Sequence, residues 1–296
     1  MDSKVVSLVL LVCSLILSYN GVEGGRKLSR KEDMELERQL KLLNKPAVMS
    51  IQLAFVGSDQ DQNNTYYGVG GVLSVHNPSV VGFQLSSGHV RIQNGVDLIR
   101  AGWMVNPTLY GDNLTRLYTS WASGDAGCYN TRCPGFITVR EDIPLDLVFQ
   151  KTSVPGGERI ELELFIYQDK ISGNWWLTFG PNNTQIGYWP KHIFTNLAGS
   201  GGSFVAWGGE VVGLPQLRSP PMGAGFVRVD NPEFAAYCRQ IIVVDESHNT
   251  VRADDTKSYI DYQGIMDYYH INDAGNNGEY WGHYITYGGP GGIKGD

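Results

Sequence analysis

After Pro46 the apolar residues of this chain recur at every second position, in short runs separated by turn-forming residues. The cleanest run spans residues 158–167, and its alternating apolar positions are Ile160, Leu162, Leu164 and Ile166. A period of two places successive side chains on opposite faces of a β-strand, so the apolar ones share one buried face. The chain is therefore predicted to be an all-β protein, an antiparallel β-sandwich of two packed sheets.

Four further runs are predicted as strands, at residues 66–75, 96–105, 136–139 and 241–244. Turns rich in glycine, asparagine and proline separate them, and the 37 glycines of the chain supply the backbone freedom that such turns need. A short helix is expected at residues 190–197, because proline suits the first position of a helix. The 16 Tyr, 10 Phe and 7 Trp argue against a disordered chain.

Residues 1–24 have the pattern of a secretory signal peptide. Lys4 gives a positive start, residues 5–17 are almost wholly apolar, and residues 22–24 offer a cleavage site. The apolar run is shorter than the roughly 20 residues that a membrane span needs. The protein is therefore expected to be secreted and extracellular, without a membrane partner.

One amphipathic helix is predicted before the first strand, at residues 29–43. Ser29 and Glu32 match a capping box. Three leucines share one stripe at helical spacing, namely Leu36, Leu40 and Leu43. The helix has two interpretations: a solvated helix that packs locally, or the remnant of a pro-segment.

The cysteines and the net charge restrict the chemistry further. Cys128 and Cys133 lack the additional partners of a zinc site, so a local disulfide is predicted for an oxidising compartment. Cys238 precedes an apolar run and is interpreted as a buried free thiol. Sequons predict glycosylation at Asn63, Asn113 and Asn182. The formal charge of −7 leaves no basic footprint for nucleic acid.

Familiar catalytic motifs are missing from the sequence. It has no serine-nucleophile elbow, no His-Glu-x-x-His and no phosphate loop. None of the six histidines has metal-ligand spacing to a second His or Cys, so no metal or cofactor is predicted and the histidines are interpreted as structural or surface residues. Carboxylates remain as candidates for catalysis.

Tryptophans and tyrosines beside glycines form several clusters. Aromatic rings beside glycine make flat surfaces that a peptide or a sugar can approach closely. For any single tryptophan, ordinary sandwich core is an equally good interpretation. Taken together, the clusters predict an aromatic cleft lined by Trp103, Tyr110, Trp175, Trp176, Trp189 and Trp207.

A series of motifs follows in order from about residue 66 to residue 291. It includes Ala101-Gly102-Trp103, Gly127-Cys128-Tyr129-Asn130, Gly173-Asn174-Trp175-Trp176, Gly187-Tyr188-Trp189-Pro190, Trp207-Gly208-Gly209-Glu210 and Trp281-Gly282-His283-Tyr284. The series resembles the neprosin family of secreted plant proteins. The resemblance implies a glutamic-type endopeptidase that is made as a zymogen and cleaves next to proline at acid pH. It also implies a residual activation helix at residues 25–49 and a neprosin-like β-sandwich domain at residues 50–296.

The family's chemistry, as the resemblance implies it, needs two glutamates with a water between them. One falls on Glu210, but the other position is Arg100. A guanidinium is always charged and cannot act as a general acid or base, and it is expected to pair with Glu210 and keep that carboxylate ionised. Three interpretations follow: a peptidase with a substitute partner such as Glu141 or Asp112, a non-catalytic relative that binds proline-containing peptides or cell-wall material, or a truncated product without function.

Overall fold

The structure is a computed structural model that describes residues 49–59, 64–215, 217–226, 230–260 and 268–293. All of them belong to one compact unit, Val48–Asp296. The predicted signal peptide, the predicted helix at residues 29–43 and the sequon at Asn63 lie outside the described residues. Among the described residues, no helix has the length and apolar character of a membrane span.

Within those residues the chain forms seventeen strands, two single-turn helices and one 3-10 turn. The strands are β1 (Ser50–Ser58), β2 (Gly68–Ser74), β3 (Leu85–Asn94), β4 (Asp97–Val105), β5 (Arg116–Ser123), β6 (Ala126–Tyr129), β7 (Ile137–Thr138), β8 (Glu161–Gln168), β9 (Trp175–Phe179), β10 (Thr184–Trp189), β11 (Phe204–Gly213), β12 (Met222–Gly223), β13 (Ala236–Val244), β14 (Thr250–Arg252), β15 (Thr256–Ile260), β16 (His270–Asn276) and β17 (His283–Gly289). The helices are α1 (Pro107–Tyr110) and α2 (Gly278–Trp281), and the 3-10 turn is Lys191–Ile193.

The strands form two antiparallel sheets. Sheet A has seven strands among the described residues, in the order β15-β1-β11-β3-β4-β5-β6. Sheet B has the order β12-β17-β13-β2-β8-β9-β10-β7, with β14 paired to β13 and β16 paired to β17. Their inner faces share one apolar core. The predicted antiparallel β-sandwich is confirmed.

Two tryptophans of sheet A bind the backbone of sheet B. The indole N–H of Trp103 donates to the carbonyl of Ser74 at 2.8 Å, and that of Trp207 donates to the carbonyl of Gly70 at 2.9 Å. Both acceptors lie on β2, and both side chains are fully buried. A buried indole N–H usually finds a partner, and these two bonds connect sheet A to sheet B.

The prediction of an aromatic cleft is wrong for four of its six residues. The side chains without exposed surface are those of Trp103, Trp175, Trp189 and Trp207. All four belong to the apolar core between the sheets, because strand alternation turns them inward. Ordinary sandwich core, the alternative interpretation, is the correct one for them.

The predicted strands agree with the structure to different extents. The runs at residues 66–75 and 96–105 contain β2 and β4, and the run at residues 158–167 overlaps β8. The run at residues 241–244 is the end of β13, and the run at residues 136–139 contains only the two-residue β7. In β8, the predicted inward residues are buried: Leu162, Leu164 and Ile166.

The helix predicted at residues 190–197 is only a single 3-10 turn, Lys191–Ile193. The following backbone N–H groups bind a side chain instead of continuing the helix. Asp97, fully buried at the start of β4, accepts all three through Oδ2. The donors are the N–H groups of Thr195, Asn196 and Leu197. Asp97 therefore attaches this loop to sheet A.

The cysteine predictions are confirmed. Cys128 and Cys133 form a disulfide at the end of β6. Cys238 is a buried free thiol, and burial raises its pKa. The sequon residues Asn113 and Asn182 are exposed, as a glycosylated residue must be, and their modification stays a prediction.

We predict that Asp97→Ala lowers the free energy of unfolding by roughly 3 kcal/mol, because three backbone N–H groups, that of the buried Leu197 among them, lose their acceptor. Urea denaturation, monitored by tryptophan fluorescence, measures this change in the free energy of unfolding. Asp142→Ala is the control, since Asp142 pairs only with the exposed Arg140, and its denaturation midpoint should stay that of the unmodified protein. An unchanged midpoint for Asp97→Ala would show that this loop is not held by the carboxylate.

Candidate functional site

The candidate site lies on the face of sheet A that is turned away from the core. Ala101 and Val211 point into the core, so their chain neighbours Arg100 and Glu210 point to the opposite face. We call this opposite face the polar face. Its polar members are Ser87, His89, Arg91, Arg100, Tyr118, Ser120, Tyr129 and Glu210.

Arg100 and Glu210 form an ion pair across this face. Arg100 lies on β4 and Glu210 on β11, with β3 between them, and the two side chains reach across it. The distance from Arg100 Nη1 to Glu210 Oε2 is 2.6 Å, and the side chains are only 15% and 10% exposed. Arg100 Nε also donates to Ser120 Oγ at 3.0 Å. The ion pair expected from the sequence is present.

The ion pair fixes the charge of Arg100. Burial acts to lower the pKa of this guanidinium, but the charge and the hydrogen bond of Glu210 raise it, and the net shift is upward. Arg100 therefore holds its proton at every pH at which the protein is folded. It can neither donate a proton to a leaving group nor accept one from water.

A buried histidine and tyrosine lie beside the pair. The Tyr118 hydroxyl is 3.0 Å from His89 Nδ1, and Ser87 Oγ is 3.5 Å from the same nitrogen. Burial, with the positive charges of Arg100 and Arg91, holds the pKa of His89 well below its usual value. Burial also raises the pKa of Tyr118. Both side chains are therefore neutral, and they support the strands rather than supply charge.

Two glycines set the strand spacing around His89. In the sheet register, His89 pairs with Gly208 of β11 on one side and with Gly102 of β4 on the other. Gly208 has a φ of 154°, and a Cβ there would lie 2.2 Å from the carbonyl oxygen of Ala54. A larger residue would push the strands apart and disturb the register that brings the ion pair together.

The remaining predicted cleft residues lie away from the ion pair. Trp176 is on the outer face of sheet B, where its ring packs on Tyr188 at 4.7 Å between centroids. Tyr110 is on α1, its hydroxyl accepts from Asn130 Nδ2 at 3.0 Å, and the Arg116 guanidinium lies 4.9 Å from its ring. The structure does not bring either of them to Glu210.

Within the described part of the chain, no substitute carboxyl partner stands beside Glu210. Among the described residues, Arg100 is the only side-chain partner of the Glu210 carboxylate. Asp112 is held by Arg116 at 2.8 Å, and this hydrogen bond lowers the pKa of Asp112 to about 2. Glu141 is exposed and lines a separate cavity with Pro144 and Asp146. A second carboxyl group for the pair is therefore absent from the described part of the site.

Sequence reasoning missed strand β3 and the site residues on it. Ser87, His89 and Arg91 alternate with inward-facing Val90 and other small or apolar residues, which is the same period-two signal that identified β8. The histidine spacing alone predicts only a structural or surface role for His89. The alternation along β3 is the signal that places His89 on one face with Arg91.

The fold and the site define an antiparallel β-sandwich protein that carries a partly buried charged site on the outer face of one sheet. The family model named Neprosin matches residues 81–290, which is more than half of the chain. The chain therefore belongs to the neprosin family.

Two solved structures are similar to this chain at low identity. One is scytalido-glutamic peptidase with a peptide-based transition-state analog, at 11% identity and a TM-score of 0.42, covering 80% of this chain and 96% of that chain. The other is SCP-B, a member of the eqolisin family of peptidases, in a complex with the tripeptide Ala-Ile-His, at 10% identity and a TM-score of 0.40 with the same coverage.

We predict strong coupling between Arg100 and Glu210. Glu210→Gln should lower the free energy of unfolding by roughly 3 kcal/mol, because it leaves a buried guanidinium without its counter-charge. Adding Arg100→Gln to Glu210→Gln should recover part of that loss. Urea denaturation of the four proteins in this double-mutant cycle measures the coupling.

The exposed pair Arg140 and Asp142 provides the control for this cycle. The equivalent substitutions to glutamine and asparagine there should show no measurable coupling, because solvent screens an exposed pair. Additive effects of the Arg100 and Glu210 substitutions would contradict an ion pair in solution.

Proposed function

We propose that this neprosin-family protein is secreted and that its polar face binds peptide chains, proline-containing ones included, without hydrolysing them. The observation that carries the proposal is the 2.6 Å ion pair between Arg100 and Glu210. It stands where, by the family resemblance, two carboxyl groups and a water would stand.

Hydrolysis with two carboxyl groups depends on their sharing protons. One ionised carboxylate takes a proton from water while a protonated one polarises the peptide carbonyl. Here Arg100 keeps its proton, and its Nη1 donates a hydrogen bond to Glu210 Oε2. His89, the nearby group that could replace a base, has its pKa lowered by burial and is bonded to Tyr118. Among the described residues of the polar face, no pair of groups is left to move a proton to and from water.

Aromatic side chains on the polar face support peptide binding. Tyr129 on β6 lies on one side of the ion pair, and Phe55 on β1 and Tyr259 on β15 lie on the other. All three are partly exposed, unlike the tryptophans of the core. Rings on such a surface suit proline, whose ring stacks well on aromatic side chains. A cell-wall polysaccharide is the alternative ligand for the same rings.

We predict that the unmodified protein does not cleave a library of proline-containing peptides at acid pH, and that Arg100→Glu does. The substitution supplies the second carboxyl group and removes the guanidinium from Glu210. Mass spectrometry of the digests measures cleavage. Arg100→Glu combined with Glu210→Gln should be inactive, and Arg140→Glu on the exposed surface should stay as inactive as the unmodified protein.

Binding is measured separately, by titration of uncleaved peptides and of cell-wall oligosaccharides into the unmodified protein. Peptide binding without cleavage is the expected result. Cleavage by the unmodified protein that Glu210→Gln abolishes would overturn the proposal and identify a working peptidase. Binding of oligosaccharides alone would keep a non-catalytic role but replace the ligand.

A further inference from the structure

A second guanidinium stands next to the ion pair, and no carboxylate of the described residues is paired with it. Arg91 on β3 pairs directly with Arg100 on β4 in the sheet register, so two positive side chains face each other. Like charges at directly opposed positions are unfavourable. Glu210 is bound to Arg100, and among the described residues no acidic side chain lies within ion-pair distance of Arg91. The three groups together carry one unbalanced positive charge.

Arg91 also has an unused hydrogen-bond donor. Its Nη2 donates to Gln93 Oε1 on the same strand. Its Nε is buried and has no partner within the described residues. Buried N–H groups are nearly always paired, so the described residues leave the hydrogen-bonding capacity of this guanidinium incomplete. Burial, followed by the charge of Arg100, lowers the pKa of Arg91, although a guanidinium stays protonated under these conditions.

Aromatic rings hold the Arg91 guanidinium in place. Its central carbon lies 5.9 Å from the ring centroid of Phe55 and 5.7 Å from that of Phe204. Tyr259 stacks on Phe55 at 5.1 Å, which keeps that ring in position. Cation–π contacts orient the guanidinium, and the rings give the surface beside it an apolar wall. A planar donor next to an apolar wall fits a carboxylate attached to an apolar group.

We propose that Arg91 forms a subsite of the polar face that binds one carboxylate of a bound peptide, either its C-terminal carboxylate or that of an acidic side chain. The inference rests on the proposed function, since the carboxylate arrives on a peptide. Charge balance favours this ligand, because a singly charged carboxylate cancels the single excess charge of Arg91, Arg100 and Glu210. A doubly charged phosphate would leave an excess of the opposite sign.

The test compares matched peptides by isothermal titration at low salt. One pair differs only in a C-terminal acid or amide, and another, amidated pair differs only in an internal Glu or Gln. We expect at least one acid to bind roughly tenfold more tightly than its neutral match, and the pair that shows the preference identifies the source of the carboxylate. Equal affinities in both pairs would overturn the subsite.

Variants of Arg91 assign the preference to this side chain. Arg91→Gln should reduce binding of the acid to the level of the amide. Arg91→Lys keeps the charge but not the planar fork, and should restore part of the preference. Arg140→Gln, on the exposed surface, should leave the preference for the acid over the amide unchanged. Thermal unfolding of each variant confirms that it is folded. A preference that survives Arg91→Gln would place the carboxylate elsewhere.

A small probe separates this subsite from peptide binding as a whole. N-acetyl-phenylalanine carries one ring and one carboxylate, and its amide is the neutral match. If peptides do not bind but N-acetyl-phenylalanine does, in a manner that Arg91→Gln abolishes, the proposed function fails and the subsite stands. If the peptides bind but show no acid preference, the subsite is overturned and the proposed function stands.

Discussion

The position of the whole polar face depends on two indole hydrogen bonds in the core. Trp103 and Trp207 donate to the backbone of β2 and so hold sheet A against sheet B. Arg100 lies three positions before Trp103, and Glu210 lies three positions after Trp207. An odd separation along a strand puts two side chains on opposite faces. Each anchored tryptophan therefore aims one member of the ion pair away from the core, and the core sets the geometry of the site.

The charges of the site determine what the face can do. Replacing one of two carboxyl groups by a guanidinium changes a site that needs a shared proton into one whose proton is fixed. In this chain Arg91 lies directly opposite Arg100 in the sheet register, and the Glu210 carboxylate is bound to Arg100. A face of this kind gains more from an incoming anion than from a water molecule. Its selectivity then depends on its aromatic rings and its charge.

The sequence predicted the parts of this structure that depend on local pattern. The alternation in β8 predicts a strand and its buried face, and the family resemblance predicts the pairing of Arg100 with Glu210. The burial of Trp175 and Trp189 could not be predicted in the same way, because it depends on which face meets the other sheet. The helix predicted after Pro190 does not continue, because the next N–H groups bind Asp97, which is distant in the chain. Local periodicity does not show which distant strands contact each other.

The disulfide between Cys128 and Cys133 has a consequence for the edge of sheet A. The edge strand β6 has only four residues, and the disulfide closes the loop that follows it. Edge strands expose backbone groups with which a second chain can extend the sheet, and very short edges are one way in which proteins prevent this. The bond adds little to the core, yet a short, covalently closed edge offers few sites for another molecule to add a strand. Reduction of this bond would therefore affect the protection of this edge more than the packing of the core.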